Sequence, residues 1–349
     1  MRPRLTIQPA ARDATLATVL LLVAIWAGSH GFADVDRALV GYLAATLVAT
    51  FGTVLRASAF WRRPASAFFA RALVSGLGSA AGLRTTFATA GGDLAAQRFV
   101  ARRSRARWAA HLLLSLGTLA GSAISLPLVF GWTHFVAEGE DVYRVIVGGV
   151  PVGRLAFDGV VAWLVFHALV LAACAVVAGA TYFLVLRLRA RRLPETATAF
   201  HLRPLLLLLT VALSGLALPA THAYPALFAL AVRAHEAAVV VFLLALPCSK
   251  LGHVLIRPLQ LGARLVRSPD APRVSCASCG GPFAPVAQRA AVERLLAARG
   301  LRFDRSLRDC PRCRRRALAA AQAAVLGAHF QPPLAGARSA PARPRVEAA

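Results

Sequence analysis

Six apolar runs, near residues 14–33, 38–56, 108–131, 158–186, 203–222 and 226–256, constrain this chain more than any other feature. Each can cross a hydrocarbon core of about 30 Å at about 1.5 Å per helical residue. In lipid a backbone must satisfy its own hydrogen bonds, which leaves helices or closed barrels. The spacing therefore predicts six transmembrane helices. Of the 349 residues, 58% are hydrophobic and 16% charged, where a soluble globule has about a quarter charged, so a soluble enzyme is excluded. The first run follows MRPRLTIQPAARD without a cleavage context and reads as a retained helix, not a signal peptide.

Charge orients the spans. The chain carries 40 basic and 15 acidic residues, and Lys250 is its one lysine. Arg2, Arg4 and Arg12 precede the first run, ten arginines from Arg56 to Arg107 separate the second and third, and Arg187, Arg189, Arg191, Arg192 and Arg203 separate the fourth and fifth. The opposite side holds Asp34, Asp36, Glu138, Glu140, Asp141 and Asp158 with only Arg37, Arg144 and Arg154. The positive-inside rule then predicts a multi-pass protein of the inner (cytoplasmic) membrane with both termini in the cytoplasm. Topology explains much of the +25 charge without nucleic-acid binding; attraction to anionic lipid or to an acidic cytoplasmic partner can use the rest. The organisation that follows is two N-terminal spans (1–60), a basic loop with interfacial helices (61–106), a four-helix core (107–267), a Cys-containing cytoplasmic unit (268–330) and a disordered Pro- and Ala-rich tail (331–349).

Histidines inside lipid are costly and mark function. His235 and His253 lie on the sixth run, and on one continuous helix their spacing is five full turns, which points both the same way about 27 Å apart. Such a helix can offer one axial imidazole to each of two haems. The only methionine is Met1 and neither Cys pair is followed by His, which removes His/Met ligation and c-type attachment and leaves a b-type, bis-histidine haem. Interfacial or proton-relay histidines are the competing reading. His111, one turn into the third run, matches His253 in depth. His167 or His134 are the outer partners of His235, ahead of His222. Arg233 and Lys250 suit haem propionates, or they snorkel to the two interfaces. His30 and His201 read as interfacial, His329 has no partner spacing, and Cys174 and Cys248 read as packing residues.

The stretch VRAHEAAVVVFLLALPCSKLGHVLIRPLQLGARLVR, residues 232–267, resembles the last helix of respiratory nitrate reductase gamma subunits, where two histidines at this spacing flank a Pro-x-Ser-(Arg/Lys)-Leu-x-His ending. Membrane subunits of heterodisulfide-reductase-like and sulfite-reduction complexes are similar. A weaker resemblance extends over residues 107–267. It implies a di-haem cytochrome b that takes electrons from quinol in the quinone pool and passes them to cytoplasmic iron-sulfur and molybdenum reductase subunits. It also implies His235, His253 and His111 as ligands. The family's second histidine on the first core helix has no counterpart, because the window holds Gly121 and Ser122, so either His167 or His134 serves the outer haem or one haem alone is bound.

Cys276-x-x-Cys279-Gly and Cys310-Pro-x-Cys313 form two thiolate knuckles, the geometry that closes around a tetrahedral ion. In a reducing cytoplasm disulfides are disfavoured. Zinc leads and iron is the alternative. The spacing is similar to zinc ribbons and to rubredoxins, although Arg314 replaces the glycine usual in the latter.

The fold class expected is thus an all-α membrane protein of six transmembrane helices with a four-helix haem-binding core and a small cytoplasmic four-cysteine metal-knuckle domain. The function expected is a cytochrome b subunit carrying electrons from quinol through haem b to a cytoplasmic reductase partner. A secondary transporter, or a non-redox membrane anchor with a zinc adaptor, is the alternative; the absence of inverted repeats speaks against the first.

Overall fold

The computed structural model describes residues 4–189, 195–268, 271–301, 303 and 307–327. Arg2, Arg191, Arg192, His329 and the tail from Gln331 lie outside them, as does the His201 side chain. The chain forms α1 (Arg4–Gly28), α2 (Val40–Trp61), α3 (Pro64–Leu77), α4 (Ala80–Thr89), a π turn over Ala90–Ala95, α5 (Arg98–Ala101) and α6 (Arg105–Val129). After strands β1 (Thr133–Glu138), β2 (Val142–Val147) and β3 (Val150–Ala156) come α7 (Val160–Arg189), α8 (Glu195–Thr221) and α9 (Pro225–Ala245). Helix α10 (Leu259–Val266), β4 (Arg273–Ser275), β5 (Pro282–Pro285), α11 (Val286–Ala297) and α12 (Pro311–Val325) complete it. Six helices, namely α1, α2, α6, α7, α8 and α9, are long and apolar enough to cross a membrane, so the chain is a multi-pass membrane protein. Helices α3 and α4 are joined at a 119° bend.

Two compact units form: Met1–Arg63 with Ala90–Pro258, and Pro64–Thr89 with Leu259–Ala349. In the first, helices pack as a row, α6 on α7, α7 on α8, α8 on α9, α9 on α2 and α2 on α1. Glycines set the close approaches, as expected where lipid offers no hydrophobic drive and backbones must come near for dispersion to hold them. A Cβ at Gly117 of α6 would meet the Ala172 carbonyl at 2.7 Å, and one at Gly179 of α7 the Ala110 carbonyl at 2.5 Å. Gly41 and Gly52 of α2 receive Glu236 and Pro247, so α2 and α9 run in the same direction. At the other end of α2, Arg62 pairs with Asp13 of α1 at 2.6 Å.

Two expectations are corrected. The chain is not all helix: residues 133–156 form a three-stranded antiparallel sheet, and a two-stranded ribbon carries the first cysteines. Val142–Val147 is rich in β-branched residues, and Gly148 and Gly149, at φ 56° and 77°, make the two-residue turn whose twist matches paired strands. Tyr143 stacks on Phe157 at 4.0 Å and meets Phe166 at 4.9 Å, which ties the sheet to the start of α7.

The sixth span is also not one rod to residue 256. Helix α9 stops at Ala245, and two 3-10 stretches, Leu246–Cys248 and Lys250–Leu255, follow around an extended Ser249 (φ −90°, ψ 171°). Pro247 is the cause, since its ring lacks an amide hydrogen and collides with the carbonyl four residues back. The phase that aligned His235 with His253 therefore does not carry across the break.

In the second unit α10 packs on α3, with Gly262 against Phe69 and Gly76 against Leu265. Leu259 and Leu261 are buried there.

Candidate metal centre and intramembrane histidines

The four cysteines that the spacing singled out come together: one sulfur from each lies within 4.8 Å of every other, and they could hold a metal ion. Cys276 follows β4, and Gly280 at φ 69° turns the chain so that its amide donates to the Cys276 carbonyl at 2.9 Å. Cys310 caps α12, where its sulfur accepts from the Cys313 amide at 3.5 Å and Pro311 takes the first helical position. The knuckles are joined by the Cys310 amide donating to the Cys276 sulfur at 3.1 Å and by Ser278 donating to Asp309 Oδ1 at 2.6 Å. Asp309 is a residue sequence reasoning missed, although it directly precedes a ligand.

The donor set fits a cation. Tetrahedral thiolates at about 2.3 Å from a metal stand about 3.8 Å apart, and Cys279 and Cys310 sulfurs are 3.9 Å apart. The Cys310 amide, followed by those of Cys279 and Ser278, pulls the Cys276 thiol down to about 6. The Cys313 amide lowers Cys310 in the same way. Cys313 is instead pushed up to about 12, chiefly by hydrogen bonding with the Cys310 and Cys279 sulfurs. Amide donors thus favour anionic sulfur, while the last thiol keeps its proton until a cation offsets the crowding.

In the first unit, His111 is half-buried on α6 and its Nδ1 lies 2.6 Å from Gln97 Oε1. Gln97 Nε2 donates to Ser115 Oγ at 2.7 Å, and Ser115 donates to the Leu112 carbonyl at 3.2 Å. That chain of donors makes the His111 Nδ1 a donor and leaves Nε2 with its lone pair. Gln97 is buried at φ 51°, a left-handed conformation rare outside glycine; no local signal announced it. His253, in the second 3-10 stretch, donates from Nδ1 to the Lys250 carbonyl at 2.7 Å, so its Nε2 is likewise the acceptor. His253 and Arg257 are close enough to act on the His111 ring electrostatically. Lys250 stands in the same relation to Arg187. Both rings thus have Nδ1 against an acceptor, His111 half-buried and His253 exposed, and acceptors of this kind fix the orientation of an imidazole.

The outer candidates are held at Nδ1 in a similar way, apart from His134, but are not brought together. His235 turns to α8, with Nδ1 3.0 Å from Ser214 Oγ and its ring against Gly215. His167 is exposed, stacks on Trp163 at 4.4 Å and donates to that residue's carbonyl. His134 sits on strand β1, not in a span, and its Nδ1 is buried with no hydrogen-bond partner among the described residues. Among the described residues no hydrogen bond or ring contact joins either to His235. His222 is exposed and bonds Pro219. Arg233 is exposed on α9. Cys174 and Cys248 are exposed. The chain matches no protein-family model, no curated protein and no solved structure.

Proposed function

We propose that the chain is a membrane cytochrome b subunit that passes electrons from quinol to a cytoplasmic reductase, with both termini in the cytoplasm of the inner membrane. The observation that carries this reading is the His111–His253 pair, with both Nδ1 atoms held by acceptors and the two rings within electrostatic reach. A b-type haem bound there would link two-electron quinol chemistry to one-electron transfer. His111 and His253 would hold it, Gln97 and the Lys250 carbonyl would orient the rings, and Lys250, Arg187 and Arg257 would supply positive charge to its propionates. His235 is the candidate for a second haem. The four-cysteine knuckles take zinc as a structural ion that presents the unit to reductase subunits of iron-sulfur or molybdenum type. Positive-inside charge supports the orientation.

The test is the optical spectrum of the full chain purified from haem-replete cells. A reduced b-type band, diminished in His111→Ala and His253→Ala but kept in full in His167→Ala, is expected. A wild-type protein without the band, or one whose band is undiminished in His253→Ala, overturns the reading.

A further inference from the structure

Resting on the haem reading above, we infer that Arg56, on a helix outside the stretch resembling the cytochrome family, is the positioning residue for His253. Pro247 ends α9 and brings carbonyls of the break within reach of α2. Arg56 Nη1 donates to two of them, Pro247 O and Ser249 O, each at 2.7 Å. A Cβ on Gly252 would stand 3.8 Å from the same nitrogen, so the guanidinium lies along the 3-10 turn that carries the ligand. Trp61, a turn further along α2, donates Nε1 to the Leu255 carbonyl at 3.1 Å. The break is thus held from α2 on either side of His253.

Within the break, Ser249 Oγ donates to the Leu246 carbonyl at 3.0 Å and accepts from the Leu251 amide at 3.1 Å, which starts the Lys250–Leu255 turn. The Lys250 carbonyl in that turn receives His253 Nδ1. The chain of cause runs from Arg56 through the Ser249 carbonyl to the Lys250 carbonyl and the imidazole. A cation at a helix C-terminus also offsets the negative end of the dipole, and a guanidinium can hold two carbonyls where a single ammonium holds them less rigidly.

The full-length protein in detergent tests this through Arg56→Ala, Arg56→Lys and Ser249→Ala. Two readouts are the low-spin paramagnetic resonance signal with its midpoint potential, and the alkylation rate of Cys248, an exposed thiol inside the break that reports without haem. Arg56→Ala is expected to lose about 10-fold or more in haem occupancy, to shift the low-spin signal and to speed Cys248 alkylation. Arg56→Lys restores part of each, and Ser249→Ala moves both readouts in the same direction by less. Wild-type signal, potential and alkylation rate in Arg56→Ala overturn the inference. If that variant does not accumulate, wild-type values in both of the others overturn it. A wild type without haem removes the haem reading and the ligand role with it, while Cys248 still reports whether Arg56 holds the break.

Discussion

Gly52 of α2 and Pro247 at the end of α9 touch: a Cβ at position 52 would stand 2.7 Å from Pro247 Cγ and 2.8 Å from its Cβ. Bare backbone on one helix admits the ring that stops the other. The same face of α2 then supplies Arg56 to the carbonyls of Pro247 and Ser249. Break and clamp are therefore one device shared by two helices.

Gly52→Ala and Gly41→Ala should differ. The first drives a methyl into a rigid ring, and overpacking of this kind costs about 1–3 kcal/mol. The second meets Glu236 Oε1 at 2.8 Å, the far end of a side chain that can turn away. Thermal unfolding in detergent should show a lower midpoint for Gly52→Ala and little change for Gly41→Ala. Equal midpoints would show that α9 does not rest on α2 in this register.

Gln97→Asn separates the hydrogen bond to His111 from backbone strain. Asn tolerates φ near 51°, so the turn survives, but its shorter amide withdraws from the ring. Under the haem reading, retention should fall about 10- to 100-fold with helix content unchanged. Haem titration against circular dichroism measures both. Full retention would show that Gln97 does not orient the ligand.

The spans were legible because length and apolarity decide them, and the thiolate knuckles because two CxxC loops have few other uses. Ends were less so. The first helix begins in the polar residues before the apolar run, and it stops at Gly28 because His30, Gly31 and Phe32 all take positive φ. The sheet had a local signal in VYRVIVGGV that is easily read as an outer loop. The interruption after α9 was half legible: Pro247 announces a bend, but Arg56 is 191 residues away and only the fold brings it there. Gln97 and Ser214, which hold His111 and His235, belong to other segments and carry no mark of that role. Ring orientation is a tertiary property, so spacing could nominate the histidines but could not pair them.

Acid should loosen the sheet. Glu138 pairs with Arg144 at 2.5 Å and Arg154 at 3.0 Å, and the Arg144 hydrogen bond holds its carboxyl below the usual carboxylate range. A group with a depressed folded value stabilises above its unfolded value, about 4.3, and that contribution is lost as pH falls through the folded value. Amide protection in residues 133–156, taken relative to intrinsic exchange at each pH, should fall on acidification in the wild type more than in Glu138→Gln. The pair is exposed, so the effect should be small and weaken with salt. An unchanged profile in Glu138→Gln would place the strand pairing under the control of packing alone.

Metal removal should act on the second unit and spare the spans. Four sulfurs within 4.8 Å repel once ionised, and Cys313 near 12 holds its proton in the metal-free state. A divalent ion must displace that proton, so affinity should rise with pH and fall on acidification. Elemental analysis should give one zinc per chain, and zinc release at a fixed chelator concentration should quicken as pH drops. Structural zinc contributes about 10–16 kcal/mol in finger peptides, so its loss, or Cys276→Ser, should open the segment around α11 and α12 to protease. Helical signal from the six spans should persist, because the spans and the knuckles belong to different compact units. Stoichiometric iron with thiolate charge-transfer absorption would instead make the centre a one-electron carrier, and a chain that resists protease without metal would show that the knuckles fold on packing alone.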